Sequence, residues 1–176
     1  YTAVGNRTLR PETINQLSTN LSWVKSWNKK LPFSKMSVAA YYHFVNDKIV
    51  AMPSRSLFEW TMLNYGKVNI WGVDANVMMQ INATKWLNIN MSFAYVYQRA
   101  IDVTDKTSKT YRQQIPYTPK HSGNARLALQ TEWITFSYAL LAVGSRYKLR
   151  NNVPGNLLAP YFDHSIGLNR DFEIKS

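Results

Sequence analysis

The side chains of this 176-residue chain that could do covalent or metal chemistry are few and wrongly spaced for it. Its three histidines, His43, His121 and His164, stand far apart. None belongs to a His-x-x-x-His pair of the kind that holds zinc from one helix face. Cysteine is absent, which removes disulfides, thiolate metal sites and thiol nucleophiles together. No nucleophile elbow, phosphate-cradling glycine loop or paired-carboxylate signature occurs. The expectation is a protein that is not an enzyme and needs no cofactor and no metal. Asp47, Glu59, Asp102 and Asp105 fall in polar connections, where they can touch a solute, although a solvated loop charge is the ordinary reading. More informative are polar groups on alternating positions: Asp74 and Asn76, then Asn88, Asn90 and Ser92, then Asn124 and Arg126. Residues two apart on a strand share a face. Such rows do hydrogen-bonding chemistry, with water, a solute or another polar surface, and they are the candidates for a wet interior wall.

The elements that would hold these rows are strands. Leu87 to Arg99 reads LNINMSFAYVYQR, with Leu87, Ile89, Met91, Phe93, Tyr95 and Tyr97 on one face and Asn88, Asn90, Ser92, Ala94, Val96 and Gln98 on the other. The run exceeds the five or six residues, roughly, of a soluble strand and reaches the roughly nine to eleven that a tilted strand needs to cross a bilayer. The same period predicts strands over 17–27, 36–45, 69–82, 120–131, 134–146 and 161–171, seven with the first. Turn-rich Gly5 to Glu12 precedes them, where Gly5 and Pro11 oppose regular pairing. The connections alternate: short at 28–33, 82–85 and near Glu132; long at 47–65, 101–118 and 151–160. Gly66 and Gly72 are expected to serve backbone geometry, a tight entry or a bulge, rather than ligand contact.

With 45% hydrophobic residues the chain is no disordered tail, yet no run nears the roughly twenty apolar residues of a membrane helix. A membrane protein of this composition is a barrel. The net charge of +11 comes from scattered basic residues, among them Lys29, Lys30, Lys106, Lys109, Lys120, Arg146, Lys148 and Arg150 near the ends of apolar runs, which speaks for solvated rims and against nucleic acid. Short turns on one rim and long loops on the other are the pattern of outer-membrane barrels. Trp27, Trp86 and Trp133 flank the short turns, while Tyr42, Phe44, Tyr95, Tyr97 and Tyr147 approach the long loops. That is where two interfacial aromatic girdles belong. On these faces Ile89→Arg is expected to hinder membrane assembly and Asn90→Arg to be tolerated. The predicted fold is all-β, an antiparallel up-and-down transmembrane β-barrel represented by about seven strands of a larger one. A passive porin or small barrel, and a soluble β-rich ligand-binding module, are the alternatives.

Four stretches carry a family resemblance. Asn6-Arg7-Thr8-Leu9-Arg10-Pro11-Glu12, Tyr41-Tyr42 through Asn46-Asp47-Lys48-Ile49, Asn64-Tyr65-Gly66 through Gly72-Val73-Asp74, and Ile115-Pro116-Tyr117-Thr118-Pro119-Lys120-His121 occur in this order across nearly the whole chain. Together they resemble the C-terminal barrel region of TonB-dependent receptors. The resemblance implies a barrel of about twenty-two strands in the cell outer membrane of a Gram-negative bacterium. It also implies an N-terminal plug contacting an inner-membrane energy-coupling protein, and import of a scarce nutrient such as a ferric siderophore, cobalamin or an oligosaccharide. The segment from Asp47 to Gly66 is similar to that of cobalamin-receptor-like members. Outer-membrane lipid, lipopolysaccharide and a surface lipoprotein are the further implied partners. Residues 1–176 are expected to be the C-terminal portion of such a barrel, with the plug domain and final strand absent, since the chain starts and stops in mid-pattern.

Overall fold

The computed structural model describes residues 2–53 and 59–170. Ser54, Arg55 and Ser56 of the first long connection, and Asp171 at the predicted end of the seventh strand, lie outside them. In chain order the strands are β1 (Thr2–Val4), β2 (Thr13–Lys25), β3 (Phe33–Asn46), β4 (Ile49–Pro53), β5 (Glu59–Asn64), β6 (Val68–Asn82), β7 (Leu87–Asp102), β8 (His121–Thr131), β9 (Thr135–Val143), β10 (Arg146–Tyr147), β11 (Leu157–Leu158) and β12 (Tyr161–Asn169). A 3-10 turn at Pro154–Asn156 is the one helical element among the described residues.

Seven long strands form one antiparallel sheet in the order β12-β9-β8-β7-β6-β3-β2, an up-and-down wall left open at both edges. The fold is all-β and the wall is that of a partial barrel, as the alternation predicts. Its tight turns satisfy their own polar groups. Asn28 Oδ1 accepts from the backbone N–H of Lys30 at 2.9 Å and of Leu31 at 2.8 Å. Thr131 Oγ1 accepts from Ile134 N at 3.1 Å and donates to Ile134 O at 2.7 Å. At the other end, Gly66 has φ +129, a region that L side chains avoid, and a Cβ there would strike Thr104. Gly72 lies in regular strand with no bulge. Its missing side chain makes room for the Tyr41 ring, whose hydroxyl would lie 2.5 Å from an added Cβ.

Cross-strand register aligns one apolar face over the whole sheet. Met36, Val77, Phe93, Ala125, Leu140 and His164 make one row, and Val38, Ala75, Tyr95, Gly123, Ala142 and Phe162 the next. The opposite rows are Ser37, Asn76, Ala94, Asn124, Leu141 and Asp163, and beside them Lys35, Met78, Ser92, Arg126, Ala139 and Ser165. β12 begins level with Asp74 whereas β2 begins beyond Val68. The loop-side edge therefore climbs by about six residues, or about 20 Å, across six inter-strand gaps of about 4.8 Å, a slope of about 35°. Barrel walls tilt their strands by about that angle.

The core sits on the polar side. Val45, Val68, Ile70 and Ala100 share a face with Asp74 and Asn76, and they are covered by Tyr65 and Ile115 from the long connections, with Tyr41, Val50 and Leu63 packed around them. On the other face Leu17 is 77% exposed, Phe93 52% and Ile166 72%. A soluble sandwich would bury that face instead.

Three local readings differ from the sequence expectation. The long connection after Asp47 is not irregular: β4 and β5 form a hairpin, and β1, from the chain start, adds to β5 in parallel. Most residues of β4 and β5 are half-buried, so no amphipathic alternation marks them. The predicted sixth strand stops at Val143, where Gly144 N turns to donate to His121 O at 2.8 Å, and Arg146–Tyr147 pairs with Leu157–Leu158 in a ribbon of its own. The first strand ends at Lys25, because Trp27 N and Asn28 N both donate to Leu31 O in the turn.

Candidate functional site

The site is the polar face of the sheet together with the loops that fold onto its upper end. Asp74 and Asn76 on β6, Asn88, Asn90 and Ser92 on β7, and Asn124 and Arg126 on β8 occupy this one face by register: Asn82 is level with Asn88, Gln80 with Asn90, Ser92 with Arg126. Asp74 is the most enclosed of the charged members. Its Oδ1 is buried without a hydrogen-bond partner beside the Tyr41 phenol. Farther down, Lys35, Ser37, Asn76, Met78, Ser92, Ala94, Asn124 and Arg126 surround an open hollow of about 400 Å³.

The aromatic candidates fall at two levels. Trp27 and Trp86 are more than half exposed at the short turns, and Trp133 is 77% exposed. Trp27 stacks edge-on with Trp23 at 5.8 Å, and Lys25 Nζ lies 3.8 Å over its ring. At the loop end, Tyr97 meets Trp71 at 5.5 Å and His121 at 5.2 Å, while the Tyr95 hydroxyl and His121 Nδ1 are 2.7 Å apart. Tyr147 is not on the wall: it lies in β10, and its carbonyl accepts from Tyr117 N at 2.8 Å. From Trp71 to Ile81 the apolar face of β6 runs about 34 Å at about 3.4 Å per residue. Tilted by about 35° it stands about 28 Å tall, against about 25 Å for the apolar band of outer-membrane barrels.

The sequence reading missed a latch that ties three of its four motif stretches together at the loop rim. The Arg10 guanidinium pairs with Asp47, which raises its pKa above the ordinary arginine value. Arg10 N donates to Asn64 Oδ1 at 2.8 Å, and Asn64 Nδ2 donates back to the carbonyls of Arg10 and Asp47, each at 2.9 Å. Glu12, itself half-buried, accepts from Lys48 Nζ at 3.0 Å and from Ile49 N at 2.8 Å. Asp47 takes φ 52 to present these groups. The fourth stretch closes over the same core: Ile115 is buried in it, Tyr117 packs against Trp60 at 4.9 Å, and Arg150 lies 4.2 Å over Tyr65. Burial, aided by the Asp102 carboxylate, pushes the Tyr65 phenol well above the usual tyrosine range. The signal in the sequence was the motifs themselves; what it did not give was that they meet. Of the loop carboxylates that could touch a solute, Asp47 is held in this latch, Asp102 is buried with Thr110 and Thr104 as partners, Glu59 is half-buried in β5, and Asp105 is exposed.

None of the described residues forms a group of three or more His, Asp or Glu able to hold a metal ion; His121 lies against the Tyr95 hydroxyl at 2.7 Å and His164 against that of Tyr138 at 2.8 Å, while His43 stacks on Tyr41 at 5.1 Å. The arrangement is a polar wall roofed by loops and backed by an apolar face.

Among solved structures the chain is similar to a mutant of the ferric enterobactin receptor PfeA of Pseudomonas aeruginosa, with a TM-score of 0.54 and 14% identity, over 91% of this chain and 24% of that one. The chain thus spans about a quarter of the length of that neighbour. No protein of curated function matches it in sequence. The TonB-dependent receptor-like β-barrel family matches over residues 1–172. With that match across almost its full length, the chain belongs to the TonB-dependent receptor β-barrel family.

Proposed function

We propose that the chain is part of the wall of an outer-membrane active transporter, which captures a scarce nutrient at its loops and passes it along the polar face when the inner membrane supplies energy. The observation that carries this reading is the inverted burial. The loops pack on the polar side, over Val45, Val68 and Ile70, and the large apolar side chains of the other face stay uncovered. Apolar side chains facing acyl chains need no protein cover, and backbone groups in hydrocarbon are satisfied by strand pairing alone. The family assignment supports an energised importer, and the cargo in this reading is a ferric siderophore, cobalamin or an oligosaccharide. Energy would arrive through a plug in the remainder of the receptor, touched by the inner-membrane coupling protein. Outer-membrane lipid and lipopolysaccharide would meet the apolar face, with a surface lipoprotein as a further loop-side partner.

The test is made on the full-length receptor, in outer-membrane fractions for gel mobility and in intact cells for uptake. Expected are heat-modifiable gel mobility and ferric siderophore uptake that stops when the proton gradient is collapsed. Uptake that persists without the gradient would identify a passive porin. Recovery in the soluble fraction without detergent would refute the barrel.

A further inference from the structure

On the apolar face of the first hairpin a cation is held between two indoles. Trp23, Lys25 and Trp27 follow one another at alternating positions where β2 runs into its short turn, and register puts Trp23 level with Met36 and Lys25 level with Ser34 and Met79 on that face. The Lys25 ammonium lies 3.8 Å over the Trp27 ring and 5.7 Å from the Trp23 centroid, and the two indoles meet edge-on. Hydrogen bonds fix this arrangement. Trp27 Nε1 donates to Ser34 Oγ at 2.9 Å, and Ser34 Oγ donates to the Lys25 carbonyl at 2.9 Å. The turn is tied in addition to the end of β6, since Asn82 N donates to Lys30 O at 2.8 Å and Asn82 Nδ2 to Lys29 O at 3.0 Å.

Next to this cluster the apolar face is hollowed. Leu21 is level with Val38 as Trp23 is with Met36, and these four line, with Ser22, a hollow of about 220 Å³. Leu21 lies four residues from Lys25, about 14 Å along the strand and, at a tilt of about 35°, about 11 Å nearer the membrane centre. A hydrocarbon slot thus ends at a cation, at the depth where headgroups begin. Charge decides which headgroup. From Thr13 to Asn46 the hairpin carries Lys25, Lys29, Lys30 and Lys35 and no Asp or Glu. Lys35 belongs to the polar face, and the other three stand on β2 and its turn. Short turns mark the periplasmic rim, where the leaflet is glycerophospholipid. A zwitterionic head would bring an ammonium of its own against three lysines, whereas an anionic one brings only its phosphate.

We propose that the Trp23–Lys25–Trp27 cluster is a binding site for an anionic glycerophospholipid of the periplasmic leaflet. Lys25 donates to the phosphate oxygens, Lys29 and Lys30 add attraction from the turn, the indoles flank the glycerol level, and one acyl chain lies in the slot past Leu21 and Val38. The inference rests on the outward polarity of the apolar face in the transporter reading and is independent of the cargo.

The experiment uses the full-length receptor in phosphatidylcholine vesicles that contain a trace of phosphatidylglycerol or of phosphatidylcholine with a photoreactive acyl chain. Mass spectrometry reads the label on residues 17–38 relative to the rest of the wall. Heat-modifiable mobility is scored first for every variant, so that loss of the barrel is read separately from loss of the site. Expected is about fivefold more label from phosphatidylglycerol than from phosphatidylcholine at low salt, an excess that high salt reduces. Lys25→Gln should bring the two lipids close to parity, Lys25→Arg should keep most of the excess, and Lys106→Gln on the opposite rim should change nothing. Equal label from both lipids on the assembled wild-type barrel overturns the site. An excess indifferent to Lys25→Gln overturns it equally, because the general field of the turn then accounts for it. No label on this hairpin from either lipid, with mobility intact, overturns the outward polarity of the face and the site with it.

Discussion

Phe93→Arg should be the most damaging charge substitution on the apolar face of β7, more so than Ile89→Arg, and the structure sets the size of the difference. Phe93 pairs with Val77 and Ala125 on the exposed apolar face, at the middle of the band running from Trp71 to Ile81 on the neighbouring strand. An arginine at the midplane of an outer-membrane barrel costs about 2 to 4 kcal/mol, falling to about 0 to 1 near the interfaces. Ile89 lies four residues nearer the Trp86 turn, about 14 Å along the strand and, at a tilt of about 35°, about 11 Å lower. Half of a band about 25 Å tall is about 12 Å, so an arginine at Ile89 reaches the interface and hinders assembly less than the sequence alone suggests. Asn90→Arg, level with Gln80 on the wet face, should cost under about 1 kcal/mol. Denaturant titration of the full-length receptor refolded into vesicles measures all three. Ile89→Arg costing more than Phe93→Arg would refute the depth assignment. Asn90→Arg costing as much as Phe93→Arg would refute the polarity of the sheet.

Three further outcomes are expected. Gly72→Ala should lower the unfolding midpoint, by about 1 to 3 kcal/mol in stability, because its Cβ meets the Tyr97 carbonyl and the Tyr41 ring; an unchanged midpoint would mean that β6 and β7 separate freely there. Glu12→Ala leaves the Lys48 ammonium partly buried and the Ile49 N–H unpaired, a local loss of about 1.5 to 3 kcal/mol; limited proteolysis of the full receptor should then cut faster between Asp47 and Gly66, with the wall still assembled. Asp105 accepts from Thr107 N at 2.8 Å and Thr107 Oγ1 at 2.7 Å, which holds its pKa below the ordinary 3.8. The charged form is the one that caps the turn, so its contribution is complete above that ordinary value and fades as pH falls through the lowered one. The Thr107 amide resonance should report this as a shift confined to acid pH, and a shift centred above 3.8 would contradict the cap.

How much of this was legible beforehand follows from what each part needs from its residues. The wall needs alternation, and alternation is written in the sequence: the rows through Met36, Val77 and Phe93 and through Ser37, Asn76 and Asn124 could be assigned to faces without coordinates. Strand ends were less legible, because Trp27 and Tyr147 continue the pattern by type while backbone turns at Leu31 and Gly144 end the pairing. The β4–β5 hairpin was illegible for the opposite reason, since it is half-buried on both faces and has no periodicity to read. The hollow at Ser92 and Ala94 was half legible: the polar residues were visible as a row, but the hollow exists only because register sets two small residues between long ones.

The same division explains where family likeness resides. A strand facing lipid and water tolerates any apolar residue on one side and nearly any polar one on the other, so two such walls can share a fold at 14% identity. The loop rim has no such latitude. Arg10 and Asn64 must meet Asp47, Glu12 must meet both Lys48 and the Ile49 amide, Gly66 must adopt φ +129 against Thr104, and Ile115 must fill the core that Val45 and Val68 begin. Each of those groups is named by chemistry rather than by class, and each belongs to one of the stretches that first marked the chain as a TonB-dependent receptor or to the neighbours they bind. If the latch is what fixes them, substituting its polar members should loosen the loops without unmaking the wall, whereas charges placed on the apolar face should unmake the wall and leave the latch chemistry untouched.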